Sequence, residues 1–177
     1  MKKTIVGGLI TLILGGTAFT ISQSSVVNNF AKNSGMSHQQ AQQFVNNSQK
    51  NLQSFSKIGQ ALVSDGNKIL STSSGIDCVN YTYQWVTSSM SCSEGVNELQ
   101  TIGNNEIQLG NCYEALGSNL GNAAKSKISE CINDIDTVET SYNLPIAVEL
   151  ISSNQLTRFR DSNLYNKSVL QAALGSN

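Results

Sequence analysis

The chain has 177 residues, which sets an expectation of one domain beyond whatever its first residues form. Only 13% of the residues are charged and the net charge is −1, so no field exists to steer DNA, RNA or anionic lipid. Asn, Ser and Gln fill about a third of the chain, closer to extracellular or virion-surface composition than to a cytosolic enzyme, and a hydrophobic share of 39% builds only a modest core.

"MKKTIVGGLITLILGGTAFTISQSS" opens with Lys2 and Lys3 and carries no further charge until Lys32. Its apolar centre, Ile5 to Ile21, sits at the lower limit for crossing a bilayer as a helix. The same features describe a secretory signal, with cleavage after Ala18 or after Ser22. Thr4, Gly8, Thr11, Gly15, Ala18 and Ser22 recur at spacings of 4, 3, 4, 3 and 4. On a helix they form one stripe of small residues, the kind of face along which helices approach closely in lipid. The spacing favours a retained transmembrane anchor over residues 1–22, with the lipid bilayer as partner through residues 4–22; a cleaved signal is the alternative. In both cases the lysines stay on the cytoplasmic side and the remainder is exported.

Val26, Val27, Phe30 and Ala31 continue a helical spacing until "NSG" at Asn33 to Gly35 stops it, so residues 23–36 read as a juxtamembrane helix and linker. Residues 37–177 read as the exported domain. Ser37 followed by Gln40 is a capping-box signature. From there Ala41, Val45, Ser48, Leu52, Phe55, Gly59, Leu62, Gly66 and Ile69 recur with helical period, predicting one helix from Ser37 to Leu70. Ser48, Gly59 and Gly66 leave space on its seam, which suits either close helix packing or a weakly buried stalk. "STSSG" at Ser71 to Gly75 reads as a loop. Val79, Tyr81, Tyr83 and Trp85 alternate like a strand, yet Val79, Tyr83, Val86 and Met90 also fit a helix capped by Asp77, and the helix is favoured.

From Glu94 to Tyr142 the pattern is helical, with "GNN" at Gly103 to Asn105 and "GSNLGN" at Gly117 to Asn122 as places where the chain can reverse. Asn143 and Pro145 mark another helix start, and "TRFRDSN" at Thr157 to Asn163 separates it from a last helix. The expected fold is mainly α: an N-terminal apolar helix, transmembrane or signal, followed by a disulfide-stapled helical bundle.

An exported chain meets oxidising conditions, where an even number of cysteines reads as disulfides. Cys78, Cys92, Cys112 and Cys131 contain no Cys-x-x-Cys pair, and the lone His38 is remote in sequence, so a metal site is not expected. Twenty residues of helix would hold Cys92 about 30 Å from Cys112, against about 6 Å between bridged α-carbons, so any bond between sequence neighbours needs a reversal. Three connectivities are open, and short antiparallel helices favour Cys78–Cys92 with Cys112–Cys131.

Chemistry is weakly signalled. His38 lies in a Gln-rich helix start with no nucleophile in pattern. Glu130, Asp134, Asp136 and Glu139 could do acid–base work on a glycan or bind calcium, but no oxygen-rich loop accompanies them and a solvated helix face is the better reading. Arg158, Arg160 and Lys167 read as an exposed basic face. Tyr81, Tyr83 and Trp85 are the candidate protein-contact surface, against the alternative that they form the core of the clamped region. Sequons at Asn46, Asn80 and Asn166 are as many as chance supplies. The function expected is a non-enzymatic structural or assembly protein of a virion or cell envelope, without cofactor or nucleic acid, contacting other envelope proteins or copies of itself. A secreted adhesin or binding factor is the alternative, and an exported hydrolase the weakest reading.

Overall fold

The computed structural model describes residues 9–14, 17–49, 54–79, 90–117, 120 and 123–176. Tyr81, Tyr83 and Trp85 lie outside them, as do Thr4, Gly8 and Gly15. In chain order the elements are strands β1 (Leu9–Leu14) and β2 (Thr17–Ser22), then helices α1 (Gln23–Ser34), α2 (His38–Gln49), α3 (Phe55–Ser74), α4 (Cys92–Gly117), α5 (Lys125–Ser141), α6 (Pro145–Leu150) and α7 (Ser153–Ser176). The mainly α expectation is met, and both disulfides are present, Cys78–Cys92 and Cys112–Cys131, each with α-carbons 5.6 Å apart.

The N-terminal helix is not. β1 and β2 form an antiparallel hairpin in which Thr11 pairs with Thr20, Ala18 with Ile13 and Ser22 with Leu9. Thr11, Ala18 and Ser22 therefore belong to strands rather than to a stripe on a helix. Ile10, Thr11, Ile13, Thr17, Thr20 and Ile21 are β-branched and favour extended backbone, and the Gly-Gly between Leu14 and Thr17 is a sequence that two-residue hairpin loops prefer. Among the described residues no helix is long and apolar enough to cross a membrane.

α1 ends where "NSG" predicts, with Gly35 in the left-handed region at φ 69°, a conformation that costs other residues a Cβ clash. It packs into the same core as the helices that follow: Val26, Val27 and Phe30 are fully buried, together with Ile21 of β2. The capping box forms as expected, the Ser37 amide donating to Gln40 Oε1 at 3.0 Å and the Gln40 amide to Ser37 Oγ at 3.4 Å. The long helix from Ser37 to Leu70 is instead two. Ser54 caps α3 by accepting from the Lys57 amide, and α3 runs through the expected "STSSG" loop to Ser74. Ser73 and Ser74 hydroxyls bond back to the Leu70 carbonyl, which lets serines sit in the last turn.

α4 is one unbroken 26-residue helix, so "GNN" is no reversal. Its glycines have another use. Gly59 and Gly66 on α3 face Gly110 and Gly103 on α4, and Gly117 lies against Ser56, in antiparallel order with a seven-residue step along each helix. A seven-residue repeat keeps the contact on one seam of two supercoiled helices. The approach is so close that a Cβ at Gly66 would fall 2.5 Å from the Gly103 carbonyl oxygen, and one at Gly59 2.5 Å from that of Gly110. The small residues are therefore a close-packing seam, not a stalk.

On its other side α4 packs on α5, with Leu109, Tyr113 and Leu116 buried against Ile128, Ile135 and the Cys112–Cys131 bridge. α4 ends at Gly117 and α5 begins at Lys125; most of the "GSNLGN" stretch expected to reverse the chain lies outside the described residues. Each fully buried Leu or Ile contributes about 1.5–3 kcal/mol. Glu98 of α4 caps α6, its Oε2 accepting from the Ile146 amide at 3.0 Å beside Pro145, which has no amide hydrogen to offer. α7 is continuous through "TRFRDSN" and begins just after Ser152, whose hydroxyl accepts from the Gln155 amide. It lies on α5 and, near its end, on α1, where Asn33 Nδ2 donates to Ser168 Oγ at 3.1 Å and to Gln171 Oε1 at 2.9 Å.

Candidate functional site

A groove of about 620 Å³ opens where α2, α3 and α7 leave a gap above α4. Phe44 of α2, Ile58 and Leu62 of α3, and Phe159 of α7 supply apolar wall, while Glu106 of α4 and Tyr142, just after α5, supply polar groups. The periodicity that makes each helix amphipathic places them: Ile58 and Leu62 are one turn apart on α3, and Phe159, Asn163 and Asn166 recur along α7.

Glu106 is only 7% exposed, and its Oε1 accepts a 2.8 Å hydrogen bond from the Tyr142 hydroxyl. Its Oε2 has no hydrogen-bond partner among the described residues. Burial raises the Glu106 carboxyl above the usual range; the Tyr142 hydrogen bond lowers it by less, and Asp65 adds a smaller upward push. Tyr142 is raised too, by burial first and then by the adjacent Glu106. Tyr165, also lining the groove, is pushed up to about 12 by burial. Among the described residues Asp65 and Asp161 bring the lining acids to three, against Arg158 as the one lining cation. Phe159 remains 44% exposed at the edge, its ring 5.7 Å from that of Tyr142.

The acidic cluster flagged in the sequence disperses into structural contacts. Glu130 pairs with Lys127 at 2.9 Å and Asp136 with Lys167 at 2.5 Å. Glu139 accepts from Asn163 at 2.7 Å, and burial raises its carboxyl. Asp134 is buried and accepts from Gln108 at 2.6 Å, with burial again the main upward influence. Cys112, Glu130 and Asp134 converge within 4.8 Å, but the Cys112 sulfur is bonded to Cys131 and offers no thiolate to a metal. His38 is exposed at the start of α2, and Asn166 is too buried to be a glycan acceptor. Of the basic residues, Arg158 lines the groove, Arg160 donates to Asn143 Oδ1 and Lys167 is paired with Asp136.

Glu106 and Tyr142 escaped the sequence reading because Glu106 sits among the Asn and Gln of a long polar helix. One signal was present. Glu106 falls on the α4 face shared by Ile102, Leu109 and Tyr113, so its side chain was due to be buried. Compared with known protein families, characterised proteins and solved structures, the chain matches none.

Proposed function

We propose that the chain is a non-enzymatic exported protein that contacts other proteins of a virion or cell envelope through its helical surface. The observation that carries this reading is the state of the cysteines: all four are bridged and none is free. Such bonds persist in oxidising compartments and are rare in the cytosol. The low charge and the Asn- and Ser-rich composition suit the same setting. Dispersal of the acidic cluster into ion pairs and helix-to-helix bonds weighs against a hydrolase built on Glu130, Asp134 and Asp136.

A secreted binding factor is the second reading, favoured by the burial of Ile21. Cleavage after Ala18 would remove the lysines and the apolar run yet leave Ile21 to fill the core with Val26 and Phe30. Expression with the native N-terminus in an exporting host, fractionation, alkylation without reductant and N-terminal sequencing test both. Unlabelled cysteines in protein recovered outside the cytoplasm support export. A chain starting at Phe19 or Gln23 selects secretion, an intact N-terminus selects retention, and four alkylated thiols in native protein refute both.

A further inference from the structure

Glu106 is a buried acid lining the groove, with one oxygen bonded to Tyr142 and the other, itself shielded from water, without a partner among the described residues. A buried carboxylate without a full complement of partners is expensive, because desolvation is uncompensated on the side that lacks a donor. Among the described residues no cation pairs with it: Arg158 lines the same groove but forms no ion pair with Glu106. The Tyr142 hydroxyl already satisfies Oε1, which fixes the carboxyl group and leaves Oε2 for something else. Phe44, Ile58, Ala61 and Leu62 offer contact for methylenes, and Phe159 stands exposed at the edge as a further hydrophobic surface. A volume of about 620 Å³ lies within the range of sites that hold organic ligands, about 300–1,000 Å³.

We propose that this groove is a binding site for an aliphatic ammonium group, whose nitrogen donates to Glu106 Oε2 while its carbon stem lies along the apolar wall. The arrangement suits a stem with a charged tip: apolar side chains and a buried acid line the same groove, and acids outnumber cations among the described lining residues. Two sources carry this chemistry, a lysine side chain of a partner protein and a free alkylamine. The site is independent of the export reading, since it needs only the folded chain.

The test uses the full chain with its disulfides intact and n-hexylamine as probe, followed by calorimetry and by amide chemical shifts around Glu106, Leu62 and Phe159. Saturable one-site binding is expected, with Kd on the order of 1 mM, as a ligand of so few atoms permits. n-Hexanol, which shares the stem without the charge, should bind at least about tenfold more weakly. Glu106→Gln should weaken the amine by a similar factor and leave hexanol unchanged. Phe159→Ala, at an exposed position, should weaken both probes modestly. Binding should tighten as pH rises through the raised carboxyl of Glu106 and release a proton there. Asp65, Asp161, Arg158, Tyr142 and Tyr165 also face the groove, so loss of that pH dependence in Glu106→Gln is what assigns it to Glu106. A lysine-containing peptide compared with its Nε-acetylated form separates the sources: discrimination between them assigns the site to partner lysines, and binding of hexylamine alone assigns it to free amines. Equal affinity for hexylamine and hexanol, or no saturable binding of hexylamine, overturns the proposal. Unchanged amine affinity in folded Glu106→Gln does so too; should that variant fail to fold, the amine–alcohol comparison on the native chain still decides.

Discussion

Replacing Gly66 by alanine should force α3 and α4 apart. The new Cβ would lie 2.5 Å from the Gly103 carbonyl oxygen and 2.7 Å from Ile107 Cγ1. A comfortable carbon–oxygen contact needs about 3.3 Å, so the helices must separate by about 0.8 Å along a packed seam. The obstacle is backbone, which cannot rotate away, so the overpacking penalty belongs at the upper end of its range, about 3 kcal/mol. Alanine returns about 1 kcal/mol through helix propensity, leaving a net loss of about 2 kcal/mol. Gly75→Ala is the control: its φ is −85°, its nearest neighbours are 3.5 and 3.8 Å from the added carbon, and its stability should stay within about 0.5 kcal/mol of native. Urea unfolding with disulfides intact reads the difference as a midpoint lower by about 1 M at unchanged slope, for a slope of about 2 kcal/mol per M. Adding Gly103→Ala to Gly66→Ala should cost less than the sum of the single changes, because the first has already opened the seam. A Gly66→Ala protein as stable as native, or more so, would mean that helix propensity outweighs the contact and that the close approach does not exist.

The two disulfides close loops of similar length, with sequence separations of 14 and 19, and each should stabilise by about 3 kcal/mol on chain entropy alone. Removing Cys112–Cys131 should nevertheless cost more in thermal melts than removing Cys78–Cys92, because Cys112 and Cys131 are buried and leave a cavity; equal losses would show that burial adds nothing. Tyr142→Phe deletes the bond to Glu106 Oε1 and leaves a buried carboxyl wholly unsatisfied, which should cost about 1–3 kcal/mol in urea, whereas the same change beside Glu106→Gln should cost less. Glu106 also predicts a pH slope. Its folded value lies above the ordinary 4.5, so between the two the native state holds a proton that the unfolded chain releases, and stability falls as pH rises through that window. Glu106→Gln should flatten the slope in part, with the remainder left to Asp134, Glu139 and Asp161, and an unchanged slope would contradict the burial of this carboxyl.

Helix termini were the most legible part of the fold, because caps are local chemistry. Ser37 with Gln40 and the αL glycine at Gly35 act where their side chains and φ preference say they should. A third signature, Ser91 with Glu94, went unread although it starts α4, the Ser91 amide and hydroxyl donating to Glu94 Oε2 at 2.7 and 2.8 Å and holding that carboxyl below its usual range. Gly103 and the serines after Leu70 misled, because propensity marks them as breakers while tertiary contact decides otherwise. At Gly103 the absence of a side chain is what α3 requires; at Ser73 a back-bonded hydroxyl makes the position tolerable. The N-terminal run misled because, with no charges to mark faces, small residues at helical spacing coexist with a high density of β-branched residues, and the paired backbone follows the second. The groove was hidden because its residues come from helices far apart in sequence, and only Glu106 on an apolar face of α4 hinted at it.

The clasp of α1 on α7 fixes an order of events. Asn33 meets Ser168 and Gln171 across 135 and 138 residues, whereas α3 and α4 follow one another in the chain and can zip along their glycines early. A ribosome delivers α1 first and α7 last, so Val26, Val27 and Phe30 have no partner on α7 until nearly the whole chain exists. During that interval the nascent protein carries a sticky N-terminal segment beside a finished hairpin of helices. Whatever shields that segment while the rest is made decides how much of the product avoids aggregation.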